Sequence, residues 1–262
     1  MADSVQWTDK LSIWITGAGS GIGAALARQL IAEGHFVIIS GRTRAPLLTI
    51  QQSAPKRVRV LDCDVGDDRS MAASGELLGE VTDQLDLVIA CAGTCEYDDG
   101  LTLDSASYRR VFDTNFFGVV NTLRVALPLL ASSRAPVFVA VGSLSSLVGF
   151  PRAEAYGASK AAVDYFLQSV RADTSLVPLR TVLVRPGFID TPLTRANDFE
   201  MPFLMNPEQA ARRILRGLEK KKSIIDFPRR LSWPLRLLRC CSPVWFRLIA
   251  PRLTRIRHLR RG

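Results

Sequence analysis

Long hydrophobic runs are missing from this sequence. No stretch approaches the roughly eighteen uninterrupted apolar residues of a membrane-spanning helix. Residues 1–10 carry two acids and lack the apolar core of a secretory signal, so we expect a cytosolic protein. Histidine is scarce, with two residues in 262, and the five cysteines show none of the histidine-flanked spacings of a metal site. We therefore expect reduced thiols and no bound metal.

Acidic residues are absent from residues 227–262, a stretch that holds ten arginines. The rest of the chain holds 24 basic and 25 acidic residues, so the net charge of +9 belongs to this tail. Trp233, Trp245 and several leucines accompany the arginines. Such a basic amphipathic segment suits an anionic membrane surface; packing over the pocket or across a subunit interface is the alternative. Nucleic acid is disfavoured, since so many large apolar residues suit a purely electrostatic role poorly.

Short apolar runs alternate with amphipathic stretches of helical length along the first 227 residues. This pattern predicts an α/β fold with a Rossmann-like, doubly wound parallel sheet of seven strands and helices on both faces. We place the strands at 11–16, 35–40, 57–62, 85–90, 136–143, 180–186 and 222–227. We place the helices at 21–33, 43–53, 67–83, 104–131, 153–177 and 206–220.

The chain is thus interpreted as one domain, residues 1–227, followed by a basic extension, residues 228–262. Prolines recur in the extension at 228, 234, 243 and 251. Because proline interrupts helical hydrogen bonding, we expect these residues to divide the extension into short helices.

A glycine-rich segment, TGAGSGIGAA, joins the first strand to the first helix at Thr16–Ala25. Glycines permit a tight turn and a close approach of the backbone to a pyrophosphate, whose charge the helix N-terminus stabilises. A tight turn without a ligand is the alternative. The position of this segment, after the first strand of an alternating chain, favours a dinucleotide cofactor.

The end of the second strand indicates which cofactor is bound. An NAD-binding fold normally places an acid there, on the ribose 2′-hydroxyl, but this chain has Ser40, Gly41 and Arg42. Arginine can hold a 2′-phosphate with two parallel hydrogen bonds. NADP(H) is therefore favoured over NAD(H), unless Arg42 is only a solvated loop residue.

Further motifs follow in the order and spacing of one enzyme family. They are Thr16–Gly23 in a Thr-Gly-x-x-x-Gly-x-Gly turn, Asp64–Val65, Asn115, Ser143, the Tyr156-x-x-x-Lys160 pair and the segment RPGFIDT at Arg185–Thr191. On these residues the chain resembles the short-chain dehydrogenase/reductase family over about residues 8–227. One motif departs from the pattern: the family commonly has Asn-Asn-Ala-Gly after the fourth strand, where this chain has ACAG at residues 90–93.

The resemblance implies a set of cofactor-binding residues. They are Gly17, Gly19, Ser20, Gly21, Ile22, Gly23, Ser40, Arg42, Asp64, Val65, Ala92, Gly93, Tyr156, Lys160, Pro186, Gly187, Ile189 and Thr191. Within this set the Asp-Val pair contacts adenine in the family, and the Pro-Gly segment lies along the nicotinamide. Cys91, inside the divergent motif, is read as a small packing residue; a reactive thiol is the alternative.

The resemblance also implies a catalytic set of Asn115, Ser143, Tyr156 and Lys160. Hydride transfer to a carbonyl carbon requires a proton at its oxygen, which Tyr156 would supply. Lys160 lies one helical turn further on the same face, where a cation favours phenolate. The chain has 28 arginines and only six lysines, so a lysine at this position is consistent with a need for a compact, tunable ammonium. Ser143 would hydrogen-bond the substrate oxygen, and Asn115 would hold a water of a proton relay.

The segment after Thr191 indicates the substrate class. It is largely apolar, with Leu193, Phe199, Met201, Phe203, Leu204 and Met205. We expect a bulky, lipid-like carbonyl or alcohol, unless these side chains simply pack under the loop.

The activity expected is that of an NADPH-dependent carbonyl reductase or alcohol dehydrogenase. Family resemblance also suggests a homodimer or homotetramer. Two alternatives stay open: a 3-oxoacyl carrier-protein reductase, whose acidic partner suits a basic surface, and a non-catalytic NADP(H)-sensing or scaffold protein on the same fold.

Overall fold

The computed structural model describes residues 10–175 and 177–254. Its centre is a seven-stranded sheet in the order β3-β2-β1-β4-β5-β6-β7, in which all neighbouring strands are parallel. The strands are β1 (Ser12–Thr16), β2 (Phe36–Gly41), β3 (Val58–Asp62), β4 (Leu87–Ala90), β5 (Val137–Val141), β6 (Arg180–Pro186) and β7 (Ile224–Phe227). The prediction of a doubly wound α/β fold with seven strands is confirmed.

The helices of the body cover both faces of this sheet. They are α1 (Gly21–Ala32), α2 (Arg44–Ser53), α3 (Asp68–Val81), α4 (Ser105–Phe112), α5 (Gly118–Ala131), α6 (Glu154–Asp173), α7 (Pro192–Arg195) and α8 (Pro207–Glu219). Successive strand residues point to opposite faces, so Ile13 and Ile15 pack with α1 and α8 while Trp14 packs with α3 and α5. The strands are buried on both sides, which is why their sequences read as continuous apolar runs.

The predicted helix at 104–131 is interrupted. A π-helical turn at Asp113–Phe117 separates α4 from α5, and it carries Asn115. The whole helical stretch Ser105–Ala131 is long and apolar enough to cross a membrane by length and composition alone. Leu123 and Ala126 of this stretch pack in the apolar layer against the sheet, as expected for a core helix of a folded domain.

The basic extension folds against the body. It forms α9 (Arg229–Cys240), α10 (Ser242–Val244), a π-helical turn (Trp245–Ile249) and α11 (Ala250–Leu253), and its last eight residues lie outside the described ones. The expectation that Pro234 ends a helix is wrong, because α9 continues through it. Leu235 packs into an apolar cluster with Leu144 and Leu147, and this burial offsets the backbone hydrogen bond that proline cannot make.

Candidate active site

The glycine-rich turn after β1 opens a cleft of about 360 Å³ at the carboxyl ends of the strands. Gly17 and Gly21 adopt left-handed φ angles of 68° and 53°, which few other residues tolerate. A Cβ on Gly23 would lie 2.3 Å from the carbonyl oxygen of Gly17, so the turn closes only with glycine at that position. The backbone can therefore bend tightly and present its amides to the cleft.

The N-terminus of α1 is suited to an anion. Ser20, the residue before the helix, is extended and its side chain makes no capping hydrogen bond; the first turn contains no acid. The free amides and the positive end of the helix dipole match a pyrophosphate. Nearly all the predicted cofactor residues line this cleft: Gly17, Gly19, Ser20, Gly21, Ile22, Gly23, Arg42, Asp64, Val65, Ala92, Gly93, Tyr156, Lys160, Pro186, Gly187, Ile189 and Thr191.

Ser40 is the exception: it does not line the cleft, so its prediction as a cofactor-binding residue is wrong. Its side chain is fully buried, where its Oγ accepts a hydrogen bond of 2.9 Å from Trp14 Nε1 instead of facing the cleft. Arg42 is exposed on the cleft wall, and it forms no ion pair with any of the described residues. The neighbouring Arg44 is paired with Asp62. Arg42 is therefore an exposed cation on the cleft wall that a ligand can reach.

Three catalytic candidates lie close together: Tyr156 and Lys160 line the cleft, and Ser143 hydrogen-bonds Tyr156. Ser143 follows β5, while Tyr156 and Lys160 project from the first turns of α6. Lys160 Nζ lies 5.9 Å from the centroid of the Tyr156 ring and donates a 3.0 Å hydrogen bond to the carbonyl of Val141. A Cβ on Gly93 would lie 3.3 Å from Asn115 Oδ1, a tight contact, and 3.5 Å from Lys160 Nζ, so Gly93 packs directly against both side chains.

Burial moves the pKa values of both α6 groups toward the neutral forms. It raises the pKa of Tyr156 to about 12, against a lowering hydrogen bond with Ser143. It lowers the pKa of Lys160 to about 8. The sequence-based expectation was that the lysine lowers the tyrosine pKa; in the structure desolvation outweighs any such effect. Tyr156 is thus a phenol at neutral pH and holds the proton that an acid must donate.

Asn115 lies in the π-helical turn, and its side chain hydrogen-bonds the backbone of Thr94 and the side chain of Ser159. Its Oδ1 accepts from Thr94 N at 2.8 Å, and its Nδ2 donates to Thr94 O at 2.9 Å and to Ser159 Oγ at 3.0 Å. Ser159 Oγ donates in turn to the carbonyl of Tyr156. Asn115 therefore ties the loop after β4 to the helix that carries the tyrosine; its expected role in a water relay stays a prediction.

Comparison with known proteins now identifies the family. The sequence matches the profile described as short chain dehydrogenase over residues 12–201. It is also 32% identical over 247 residues to a Myxococcus xanthus protein described as an uncharacterized oxidoreductase, covering 91% of this chain and 96% of that relative. The chain belongs to the short-chain dehydrogenase/reductase family. It is an oxidoreductase of that family.

Solved structures agree with the fold. A short chain dehydrogenase from Burkholderia cenocepacia in complex with NADP is 23% identical and has a TM-score of 0.81, covering 93% of this chain and 99% of that one. A short chain dehydrogenase/reductase from Burkholderia phymatum in complex with NAD is 20% identical and has a TM-score of 0.82, covering 92% and 96%. At these identities the likeness shows the architecture alone.

Cys91 occupies the position at which this dehydrogenase departs from the family pattern. It packs against the core, and burial raises the pKa of its thiol to about 12. A thiol so far from ionisation is a poor nucleophile. Cys91 therefore behaves as a packing residue.

Tyr97 and Arg152, which no sequence motif indicated, take part in a cluster of ring contacts. The rings of Tyr97, Phe188 and Phe199 form an aromatic wall. The rings of Tyr97 and Phe199 are 5.8 Å apart, Phe199 and Phe188 are 6.0 Å apart, and Tyr97 Oη donates to Asn197 Oδ1 at 2.8 Å. The guanidinium of Arg152 lies 5.2 Å from the Tyr97 centroid. These contacts join the loop after β4 to the segment after α7, two parts of the chain about one hundred residues apart in sequence.

Arg152 holds this aromatic wall together. Its guanidinium binds Asp99 on one loop and Asp198 on the other, and its side chain is only 11% exposed. Arg152 lies two residues before the start of α6. These two ion pairs, the Arg152 clamp, are therefore anchored close to Tyr156 in the chain. Of the predicted apolar segment, Met205 instead packs in the core, while Phe203 and Leu204 are exposed.

Proposed function

We propose that this dehydrogenase is an NADPH-dependent carbonyl reductase acting on a bulky, apolar ketone, with oxidation of the alcohol as the reverse reaction. The observation that carries the proposal is the position of Tyr156 on the cleft wall, in hydrogen-bond contact with Ser143 and with Lys160 beside its ring. A phenol with a pKa of about 12 is protonated at neutral pH. It can donate its proton to the alkoxide that forms when hydride adds to a carbonyl, because an alkoxide is a stronger base than a phenolate.

The chain's own groups account for proton movement. NADPH, when bound, supplies the hydride to the carbonyl carbon and leaves as NADP⁺. The Tyr156 hydroxyl gives its proton to the carbonyl oxygen, and the Ser143 hydroxyl donates a hydrogen bond to the same oxygen as negative charge develops. The Lys160 ammonium stabilises the phenolate left on Tyr156, and a proton from solvent restores the phenol.

Support for NADPH over NADH comes from the end of β2. Arg42 is exposed on the cleft wall without an ionic partner among the described residues, as a site for a 2′-phosphate requires. Asp62, paired in register with Gly41, is already held by Arg44 and is the nearest acid on the adjoining strand.

Support for an apolar substrate comes from the aromatic wall of Tyr97, Phe188 and Phe199. Flat rings in edge contact present apolar area with little loss of side-chain freedom. Burial also raises the pKa of Tyr97, so this side chain stays neutral. A hydrophobic carbonyl fits such a wall better than a sugar does.

The decisive experiment compares wild type with Tyr156→Phe on a panel of ketones, free acyl thioesters and sugars, with NADPH and NADH. We expect NADPH-dependent reduction of apolar ketones by wild type and a loss of about a thousandfold or more in the variant. Binding of NADPH, followed by its fluorescence, should be unchanged. Equal rates in the two proteins would favour a cofactor-sensing scaffold, and a preference for acyl thioesters would favour a 3-oxoacyl carrier-protein reductase.

A homodimer or homotetramer is part of the same proposal. Tyr165 on α6 exposes 74% of its surface, and Leu127 on α5 is exposed as well. Large apolar side chains on neighbouring outer helices suit a subunit interface. Light scattering of the purified protein measures the assembly directly, and a monomeric mass at micromolar concentration would refute it.

A further inference from the structure

The basic extension has an inner face that belongs to the active-site region. Trp245 is buried, its Nε1 donates to the carbonyl of Gly149 at 2.9 Å, and its ring lies 5.0 Å from that of Phe150. A Cβ on Gly187, a residue of the cleft, would lie 3.0 Å from Leu231 Cδ2. The extension therefore rests on both the loop after Ser143 and the segment that follows β6.

The solvent-exposed side of the extension, its outer face, carries large apolar side chains. Trp233 and Leu237 lie one helical turn apart on α9 and expose 61% and 65% of their surfaces. Phe246 and Leu248 expose 61% and 56% on the following turn. Single exposed apolar residues are ordinary, but four large ones on one short segment mark an interaction surface.

The charges of the extension indicate what kind of partner this outer face can bind. In the described part of the extension Arg236 is paired with Asp226, and five further arginines are exposed: Arg229, Arg230, Arg239, Arg247 and Arg252. Residues 227–262 contain no acid that could neutralise them. Two copies of this face would repel each other, whereas an anionic surface would be attracted to it. Tryptophan and phenylalanine beside arginine also match the boundary between lipid headgroups and acyl chains.

We propose that this outer face binds the anionic surface of a membrane, holding the dehydrogenase there as a peripheral, cytosolic protein. The apolar side chains enter the headgroup boundary and the arginines contact lipid phosphates and carboxylates. Since the inner face contacts the loops of the active site, the extension would lie between the bilayer and these loops. The proposal stands independently of the substrate, and it is tested by binding alone.

The test is sedimentation of the full-length protein with vesicles of phosphatidylcholine alone or with 30% phosphatidylglycerol added, a content of about one anionic lipid in three. We expect binding to the anionic vesicles and little to the neutral ones. Arg229→Gln with Arg230→Gln should weaken partitioning about 30-fold, because each basic residue near such a surface contributes a factor of about five. Trp233→Ser with Leu237→Ser should weaken it at least as much.

Matched controls come from the same chain. Arg212→Gln with Arg213→Gln removes the same charge from another exposed arginine pair on α8, and Leu77→Ser with Leu103→Ser removes exposed apolar residues elsewhere. Both should bind like wild type. The exposed Cys240 and Cys241 allow a polarity-sensitive thiol label, whose emission should shift to the blue on anionic vesicles only.

Three outcomes would overturn the proposal. The first is equal binding to neutral and anionic vesicles. The second is loss of self-association, measured by light scattering, in the Trp233→Ser, Leu237→Ser variant without any vesicle binding by wild type, which would make the face a subunit interface. The third is binding to duplex DNA with higher affinity than to anionic vesicles at the same salt concentration.

Discussion

Tyr156 and Lys160 show how burial sets the chemistry of a pair of side chains. Moving either group out of water disfavours its charged form, which raises the pKa of the phenol and lowers that of the ammonium. Tyr156 therefore stays protonated throughout the physiological pH range. Keeping Lys160 charged at pH 7 costs free energy of folding, because the ammonium is removed from water. The hydrogen bond to the Val141 carbonyl offsets part of this desolvation cost.

That cost predicts a stability effect of Lys160→Met. The lysine titrates near 10.5 when unfolded and at about 8 when folded. Below pH 8 both states are charged and the full burial penalty is present; between pH 8 and 10.5 the folded state binds fewer protons, so wild-type stability rises with pH. The variant should therefore be more stable than wild type at pH 7, by on the order of 1 kcal/mol after the lost hydrogen bond is counted.

Thermal unfolding at pH 7, 9 and 10.5 measures this effect. The advantage of the variant should shrink as the pH rises and reverse by pH 10.5, where the neutral lysine of wild type still donates its hydrogen bond. A constant advantage at all three pH values would mean that packing, and not charge burial, separates the two proteins. Activity should be lost in the variant at every pH, since the phenolate on Tyr156 then has no cation beside it.

At the scale of loops and helices, Arg152 joins parts of the chain that meet only in the folded protein. Its partners Asp99 and Asp198 are exposed, so the ion pairs alone contribute little to stability. Their effect is geometric: they hold the aromatic wall against the start of α6. Misplacing a substrate by about 1 Å can cost a hundredfold in rate.

Arg152→Ala should therefore impair catalysis more than folding. We expect kcat/KM for an apolar ketone to fall about tenfold or more, mostly through KM, with NADPH affinity unchanged. Arg152→Lys should restore part of the loss, because an ammonium can pair with one acid but cannot hold two in a fixed fork. An unchanged KM in Arg152→Ala would show that the wall does not contact substrate.

Gly23 of α1 tests whether the glycine-rich turn requires glycine, and Gly79 of α3 serves as a control. Gly23→Ala places a methyl group 2.3 Å from the Gly17 carbonyl and should cost about 1–3 kcal/mol of stability, together with NADPH affinity. Gly79→Ala meets nothing within 4 Å on the exposed side of α3 and should instead stabilise by up to about 1 kcal/mol. Thermal melts compare the two; a harmless Gly23→Ala would mean that the turn can relax.

These elements also show what the sequence could predict. The strands, the glycine turn and the Tyr156–Lys160 pair follow from local patterns of apolar spacing and i, i+4 geometry, and the structure places them accordingly. Ser40 was misassigned because its partner Trp14 is 26 residues away. The Arg152 clamp depends on acids 53 and 46 residues away, which no local pattern links. The helix through Pro234 depends on a tertiary cluster that outweighs a local preference.

At the scale of the whole molecule, one ionic network connects the sheet, the catalytic helix and the extension. Arg185 of β6 donates to Asp164 of α6 at 2.9 Å and, through two hydrogen bonds of 2.9 and 3.0 Å, to Asp226 of β7. Arg236 of α9 donates to the same Asp226. Arg185 and Asp226 are almost completely buried, with side chains 6% and 5% exposed. Charges so removed from water are tolerated only while each keeps its partner.

Asp226→Asn should consequently be among the most damaging conservative changes in the chain. The amide keeps the volume but removes the negative charge, leaving buried Arg185 with Asp164 alone, and we expect a loss of about 3–5 kcal/mol. That loss corresponds to a fall of roughly 10 °C in Tm for a chain of this size. Arg236→Gln removes the network's solvent-facing cation, which is 45% exposed, and should change stability by no more than about 1 kcal/mol. Equal, small shifts in the two variants would mean that water reaches Arg185 and that the network does not bind the extension to the sheet.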